Sequence, residues 1–426
     1  MTVNRQTRRV AIVGYNRIPF ARQNTAYTRA DNQQMMTAAL NGLIERYRLE
    51  GLLLGEVAGG AVIKDSRQLN LMRECVLDTR LNPATPACDI QQACDTGIEA
   101  AVYIANKIAL GQIDVGISGG VDSTSNVPLL LGDRLRNILL AARRAKTGGE
   151  RIRQFLRIRP KDLVPEAPMN SEPRTGLSMG GHTEYTVKHY GITREAQDAL
   201  ALESHQKMYK AYDEGFFNDM ITPYLGLERD NNLRGDSSPE KLARLKPAFD
   251  KENGTLTAGN SSPLTDGASC LLLAGEDWAK AHGLPVLAYL TFAELAAIEY
   301  VENKQNLLLA PIYASARMLQ KAGLTLQDFD FYEIHEAFAG QVLATLKIWE
   351  SDELMKTFGF DGARGSIDRN KLNVKGSSLA AGHPFAATGG RVLATLAKLL
   401  HEKGSGRGFV SVCAAGGQGI TAILEK

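Results

Sequence analysis

Cysteine is scarce in this 426-residue chain. The five thiols (Cys75, Cys88, Cys94, Cys270 and Cys413) are odd in number, widely spaced and never paired as C-x-x-C. That argues against a disulfide scaffold or a zinc site and for a reducing compartment. Charge of one sign is missing too: 49 basic against 47 acidic side chains leave a net +2, which gives no global reason to expect a nucleic-acid partner. No apolar run approaches membrane-spanning length, and the polar, basic start from Met1 to Arg9 leaves no room for the apolar core of a signal peptide. A cytoplasmic protein is expected, with an organelle-matrix protein the lesser reading. No G-x-G-x-x-G or G-K-[ST] loop follows a strand, which disfavours NAD-linked or nucleotide-hydrolysing chemistry. The glycines at 404–408 read as a turn.

What is present is an ordinary globular composition, 44% hydrophobic and 23% charged. A chain of this length buries a large core and forms more than one domain, or a duplicated one. Residues 10–14 predict a strand and 33–50 a helix with Met36, Ala39, Leu40, Leu43 and Ile44 on one face. Strands at 56–62, 87–91 and 114–120 alternate with helices at 69–78 and after Cys94, so a parallel sheet is the natural solution. From 124 to 253 the alternation stops in a polar, helical insertion. Within it, 134–161 carries ten arginines and lysines against one acid, Glu150, interleaved with Leu135, Ile138, Leu139, Leu140, Ile152, Phe155, Leu156 and Ile158. This stretch reads as one or two basic amphipathic helices broken at Gly148-Gly149. A solvated capping face, an anion or partner site, and an interfacial membrane contact all compete for it. Strands and helices resume at 270–274, 285–292, 310–322, 328–334, 386–400, 408–413 and 420–424. The division is thus a first half at 1–123 completed by 254–284, the insertion at 124–253, and a second half at 285–426.

Cys94 lies between the short strand and a small-residue helix. A helix N-terminus favours an anion, which predicts a depressed thiol pKa, although a lone cysteine is by default an inert small hydrophobe. The far end of the chain repeats the layout. There His383 opens a small-residue helix, and a strand ending in Cys413 precedes a glycine turn, which suggests an internal duplication. Two α/β halves packed face to face would bring Cys94 and His383 together at their junction, where ligand sites of parallel sheets tend to lie.

Four motifs converge: Cys94 in a Cys-x-x-Gly setting, His335-Glu336-Ala337-Phe338-Ala339, Gly382-His383-Pro384, and Cys413 before its glycine turn. In this order, with Thr257-Ala258-Gly259-Asn260 and Ser178-Met179-Gly180, they resemble the thiolase superfamily over nearly the whole chain. With His335 and the basic insertion, the chain looks most like the branch holding bacterial acetyl-CoA acetyltransferases and the β-subunit of trifunctional enzyme. The resemblance implies duplicated βαβαβαββ halves in a five-layer αβαβα sandwich with a helical loop insertion. It further implies an acyltransferase that reversibly cleaves 3-ketoacyl-CoA, with coenzyme A as substrate and no cofactor or metal. Cys94 would be the acylated nucleophile, His383 its base, Cys413 the second acid and base, and His335 the holder of a water facing the enolate oxygen. The amides of Cys94 and Ala415 would form an oxyanion hole. Met179, Ser262 and Phe338 would line the acyl and pantetheine channel. Implied partners are CoA and acyl-CoA thioesters, a second copy in a homodimer or dimer of dimers, an enoyl-CoA hydratase/3-hydroxyacyl-CoA dehydrogenase α-subunit, and a membrane surface at 134–161.

Two departures stand out. Alanine replaces the usual glycine in Cys413-Ala414-Ala415-Gly416, which keeps the N–H while restricting the turn. Lys375-Gly376-Ser377 stands where Asn-Gly-Gly is usual, and a lysine there could alter charge at the pocket mouth. A 3-ketoacyl synthase-type condensing enzyme shares the fold but would carry histidine or asparagine at Cys413, and a lipid-binding or scaffolding member would have lost Cys94 or His383.

Overall fold

In the computed structural model of the chain, which describes residues 7–426, the strands are β1 (Val10–Arg17), β2 (Ala21–Arg22), β3 (Glu56–Gly60), β4 (Ala87–Asp89), β5 (Val115–Asp122), β6 (Thr265–Gly275), β7 (Ala288–Ala297), β8 (Phe331–Ile334), β9 (Arg407–Ala414) and β10 (Gln418–Glu425). Residues 1–6, most of the polar start, lie outside the described residues. The strands run in the order β4-β3-β5-β6-β1-β7-β10-β9-β8, with β2 paired to β6.

The duplication is visible in the pairing sense. On one side β4/β3 and β3/β5 are parallel, and β5/β6 and β6/β1 antiparallel. On the other β8/β9 is parallel, and β9/β10 and β10/β7 antiparallel. The second half repeats the first with one strand missing. An isolated parallel bridge, Tyr332 to Leu372, stands on the free edge of β8 where β4 would be. The halves meet through Ala11↔Tyr289 and Ile12↔Ala288.

Three cores separate the layers. The outer core of the first half packs the Asn32–Tyr47 and Leu71–Leu77 helices on the sheet, and that of the second half packs the Ala310–Ala322 and Ala339–Trp349 helices. Between the sheets, the Thr96–Ala109 and Thr388–Lys403 helices share one core with residues from both halves. This is helix, sheet, helix, sheet, helix. β1, β3, β5 and β6 are buried at every residue, as expected of strands covered on both faces, which is why they read as near-continuous apolar or small-residue runs. The two central helices touch at backbone distance, since a Cβ on Gly389 would come within 2.4 Å of Ile98 N, and β5 meets the turn before the second of them, since one on Gly120 would come within 2.0 Å of Ala386 O. Glycine at these positions is a packing requirement.

The insertion leaves β5 and returns at β6. Arg17 on β1 holds it through Asp230, whose carboxylate accepts from Arg17 Nη1 at 2.6 Å and from the Phe20 amide at 2.7 Å in a buried site. Its basic stretch is two helices, Asp133–Arg144 and Gly148–Phe155. The break falls at 145–147, not at Gly148-Gly149. Thr147 caps the second helix in a capping box with Glu150, so the paired glycines open that helix. Leu135, Ile138 and Ala142 are buried, while Leu140, Ile152, Phe155 and Leu156 remain exposed. No helix among the described residues is long and apolar enough to cross a membrane.

Candidate active site

Cys94 precedes the Thr96–Ala109 helix by two residues on a strained turn. Ala93 has φ +47°, a left-handed conformation adopted here without glycine. The Thr96 hydroxyl ties the turn, donating to Ala93 O at 2.7 Å and accepting from Gln92 N at 2.8 Å. From the second half, Gly382 at φ +97° delivers His383, whose Nε2 lies 3.1 Å from Cys94 Sγ and whose Nδ1 lies 2.6 Å from Thr388 Oγ1. The helix beyond it begins at Thr388, after a 3-10 turn at Phe385–Ala387. The His335 ring, at the end of β8, stands 4.1 Å from the His383 ring with its amide bonded to Ser411 O. Cys413 on β9 is buried in one cluster with Phe338, against which Met179 packs. Two residues later the Ala415 amide bears on the Cys94 sulfur, as does the amide of Cys94 itself. Every candidate catalytic residue thus comes from a different loop or strand end and faces one junction.

The electrostatics overturn one expectation. Burial pushes the Cys94 thiol up to about 12, assisted by the neighbouring Asp95 and opposed by the Ala415 amide. Desolvation outweighs the helix terminus. Burial likewise lowers His383 to about 3, with the Arg391 charge adding to it. The pair at rest is therefore a neutral thiol and a neutral imidazole, with the proton on sulfur. Cys413 is held well above the ordinary thiol value by burial, then by Cys94 and Asp95. Asp95, buried with neither oxygen hydrogen-bonded among the described residues, is itself raised well above the usual carboxylate range by burial and by Glu99.

A cleft of about 710 Å³ is lined by Arg234, Lys241, Phe249, Ser262 and Leu264 among others. Leu264 forms a parallel bridge to His383, which sets one wall of the cleft beside the Cys94–His383 pair. Ser262 is fixed by two bonds to Ala337 O, from its amide at 3.0 Å and its hydroxyl at 2.8 Å. Phe338 meets Phe249 edge to face at 5.8 Å. Lys375 turns away from the cleft and pairs with Glu214 at 3.4 Å over the Phe216 ring.

Sequence reasoning missed the residues that hold this site from behind. Glu172 of the insertion accepts from the Gly416 amide and from Tyr300 Oη, each at 2.7 Å, clamping the glycine turn that presents Ala415. Glu336 accepts from Ser204, Asn373 and the Leu379 amide. Ser378, Thr388 and Arg391 contact the histidines or their supports. The sequence signals for them were Glu336, within the motif that begins at His335, and Ser377, within the departure from Asn-Gly-Gly.

A paired α/β sandwich with a thiol–imidazole contact at its junction defines a class of acyl-transfer enzyme, and known proteins agree. The family model described as Thiolase, N-terminal domain matches residues 10–277, and Thiolase, C-terminal domain matches 287–426. The chain is 40% identical over 430 residues to the 3-ketoacyl-CoA thiolase of Yersinia pestis (strain Pestoides F), covering 99% of this chain and 98% of that one. Among solved structures, the acetyl-CoA acetyltransferase of Bacillus anthracis superposes with a TM-score of 0.82 at 30% identity, covering 99% of both chains. Human mitochondrial 3-ketoacyl-CoA thiolase superposes with a TM-score of 0.81 at 26% identity, covering 99% of this chain and 100% of that one. The chain belongs to the thiolase family.

Proposed function

We propose that this enzyme reversibly cleaves 3-ketoacyl-CoA with coenzyme A to acetyl-CoA and a shortened acyl-CoA, or interconverts acetoacetyl-CoA and acetyl-CoA, in fatty-acid β-oxidation. The observation that carries the reading is the 3.1 Å contact of His383 Nε2 with Cys94 Sγ. Because the resting pair is neutral, His383 takes the thiol proton as sulfur attacks the keto carbon. Collapse of the tetrahedral intermediate breaks the Cα–Cβ bond, and the departing enolate takes the Cys413 proton, giving acetyl-CoA and acyl-Cys94. Coenzyme A then passes its thiol proton to Cys413 and attacks the acyl group. Cys94 leaves and recovers its proton from His383. His335 holds a water that, with His383, faces the enolate oxygen, and the Cys94 and Ala415 amides face the tetrahedral oxyanion. Met179, Ser262 and Phe338 line the acyl and pantetheine path, while Arg234 and Lys241 suit the phosphates of the nucleotide end.

Incubation with coenzyme A and either acetoacetyl-CoA or a long-chain 3-ketoacyl-CoA tests the assignment. Substrate loss is expected, and no turnover at any chain length overturns it. Cys413 favours this reading over a condensing synthase, and the retained Cys94 and His383 favour it over a scaffold.

We propose the finer assignments as well. The molecule divides at 1–123 with 254–284, 124–253 and 285–426, and works in the cytoplasm as a homodimer or dimer of dimers, with a hydratase/dehydrogenase α-subunit as candidate partner. The hairpin at 134–161 joins ten cations to exposed Leu140, Ile152, Phe155 and Leu156, a pattern suited to an anionic membrane surface. Sedimentation with anionic vesicles is expected and should vanish on deleting 134–161. If the intact protein stays in solution, the contact does not exist.

A further inference from the structure

Behind His335 lies a buried chain of polar groups that the mechanism does not use. Arg391, on the Thr388–Lys403 helix and 2% exposed, donates from Nη2 to Ser378 Oγ at 2.7 Å and to Ser377 Oγ at 3.2 Å. Ser378 Oγ lies 2.7 Å from His335 Nδ1. His335 Nε2, on the other side of a fully buried ring, finds no partner among the described residues.

The proton count of these three groups has one solution. A guanidinium only donates, so Ser378 Oγ accepts from Arg391. The serine hydrogen must then go to an acceptor, and among the described residues His335 Nδ1 is the one group left within its reach. An Nδ1 that accepts carries no hydrogen, so a neutral ring bears its hydrogen on Nε2. We infer that Arg391, acting through Ser378, is a positioning device that locks His335 as the Nε2–H tautomer, so that the ring offers a hydrogen-bond donor to the water that faces the enolate oxygen. The inference rests on the reading of His335 as the holder of that water.

The surroundings agree. His335 is held well below the ordinary histidine value by burial, then by His383 and Arg391, so the ring stays neutral and its tautomer matters. The Arg391 charge is opposed by Glu333 and then Glu336, and the Glu336 oxygens accept from Ser204, Asn373 and the Leu379 amide. His383 differs: its Nδ1 faces Thr388 Oγ1, for which no competing donor is found among the described residues. A ring that must take up and return a proton is left free to do so, while a ring that must only donate is locked. The serine at 378 thus has a purpose that a non-hydroxylic residue could not serve.

Two half-reactions separate positioning from folding. Exchange of α-protons of acetyl-CoA with deuterium needs the enolate donor; acyl exchange between acetyl-CoA and free coenzyme A through Cys94 does not. Ser378→Ala is expected to slow α-proton exchange by about 10- to 100-fold, the usual effect of removing a partner behind an active group, and to leave acyl exchange within about twofold. Equal losses in both would mark Ser378 as merely structural and overturn the inference. In a His335→Asn background the amide donates whatever stands behind it, so Ser378→Ala should cost nothing further; additive losses overturn the tautomer lock. In protein labelled with 15N-histidine, the signal lost on His335→Asn should show protonated Nε2 and bare Nδ1, and the reverse overturns it. Should the wild type perform neither half-reaction, it is the thiolase reading that fails, while the 15N spectrum still decides the tautomer.

Discussion

The two halves of the molecule share strand order and pairing sense, yet they carry unequal chemistry. The first half contributes one candidate reacting side chain, Cys94, on a strained turn ahead of its central helix. The second contributes His335, His383 and Cys413 from a strand end, a loop and a second strand, and adds the buried Arg391 and Ser378 that hold one of them. A duplicated scaffold offers two equivalent helix starts at one junction, and loading them differently sets a thiol against an imidazole across 289 residues of chain. The comparison also explains the glycines there: helices that meet through backbone can place side chains from both halves within one hydrogen bond.

The sharpest way to break the asymmetry is to remove its first-half member. Cys94→Ser should prevent acyl-enzyme formation and lower thiolysis by roughly 10⁴-fold or more, checked by mass spectrometry of the acylated protein and by steady-state rates. Removing the second-half thiol should act differently: Cys413→Ser is expected to acylate slowly but to lose α-proton exchange. Identical behaviour of the two variants would erase the division of labour. The junction can be opened without touching a reacting group. Gly120→Ala places a methyl 2.0 Å from Ala386 O, in the turn that follows His383. A loss of about 1–3 kcal/mol is expected in denaturant unfolding, with activity falling alongside.

The smallest effect concerns charge behind the second half. Glu333 on β8 is fully buried with neither oxygen bonded among the described residues, and burial raises it from 4.5 to about 8. Between those pH values the folded state holds a proton that the unfolded chain releases, so this group's contribution to stability falls as pH rises through that window. Glu333→Gln should remove that slope. Its melting temperature relative to wild type should climb from pH 4.5 to 8, and an unchanged difference would show that Glu333 does not titrate there.

Much of this was legible before any coordinates. The apolar runs of β1, β5 and β6, the helix face at Met36, Ala39, Leu40 and Leu43, and the alternation that ends near Asp122 follow from period and composition, which act locally. The motifs around Cys94, His335, His383 and Cys413 were legible because the chemistry needs those residue types. The basic stretch reads in the sequence as one or two helices and is two, with its break misplaced, because the Thr147–Glu150 capping box outweighs the flexibility of paired glycines. The thiol pKa was misjudged because a helix terminus is visible in a sequence and the density of protein around a sulfur is not.

By itself, then, the sequence determined the class of fold, the duplication and the family, and it named the candidate reacting side chains, since each is written in local pattern or residue type. Tertiary structure alone decided the protonation of the Cys94–His383 pair, the clamp of Glu172 on the Gly416 turn, the diversion of Lys375 to Glu214 and the relay from Arg391 through Ser378 to His335. Those depend on burial and on distances between residues far apart in the chain, and desolvation and hydrogen-bond direction exist only once the halves have closed on each other.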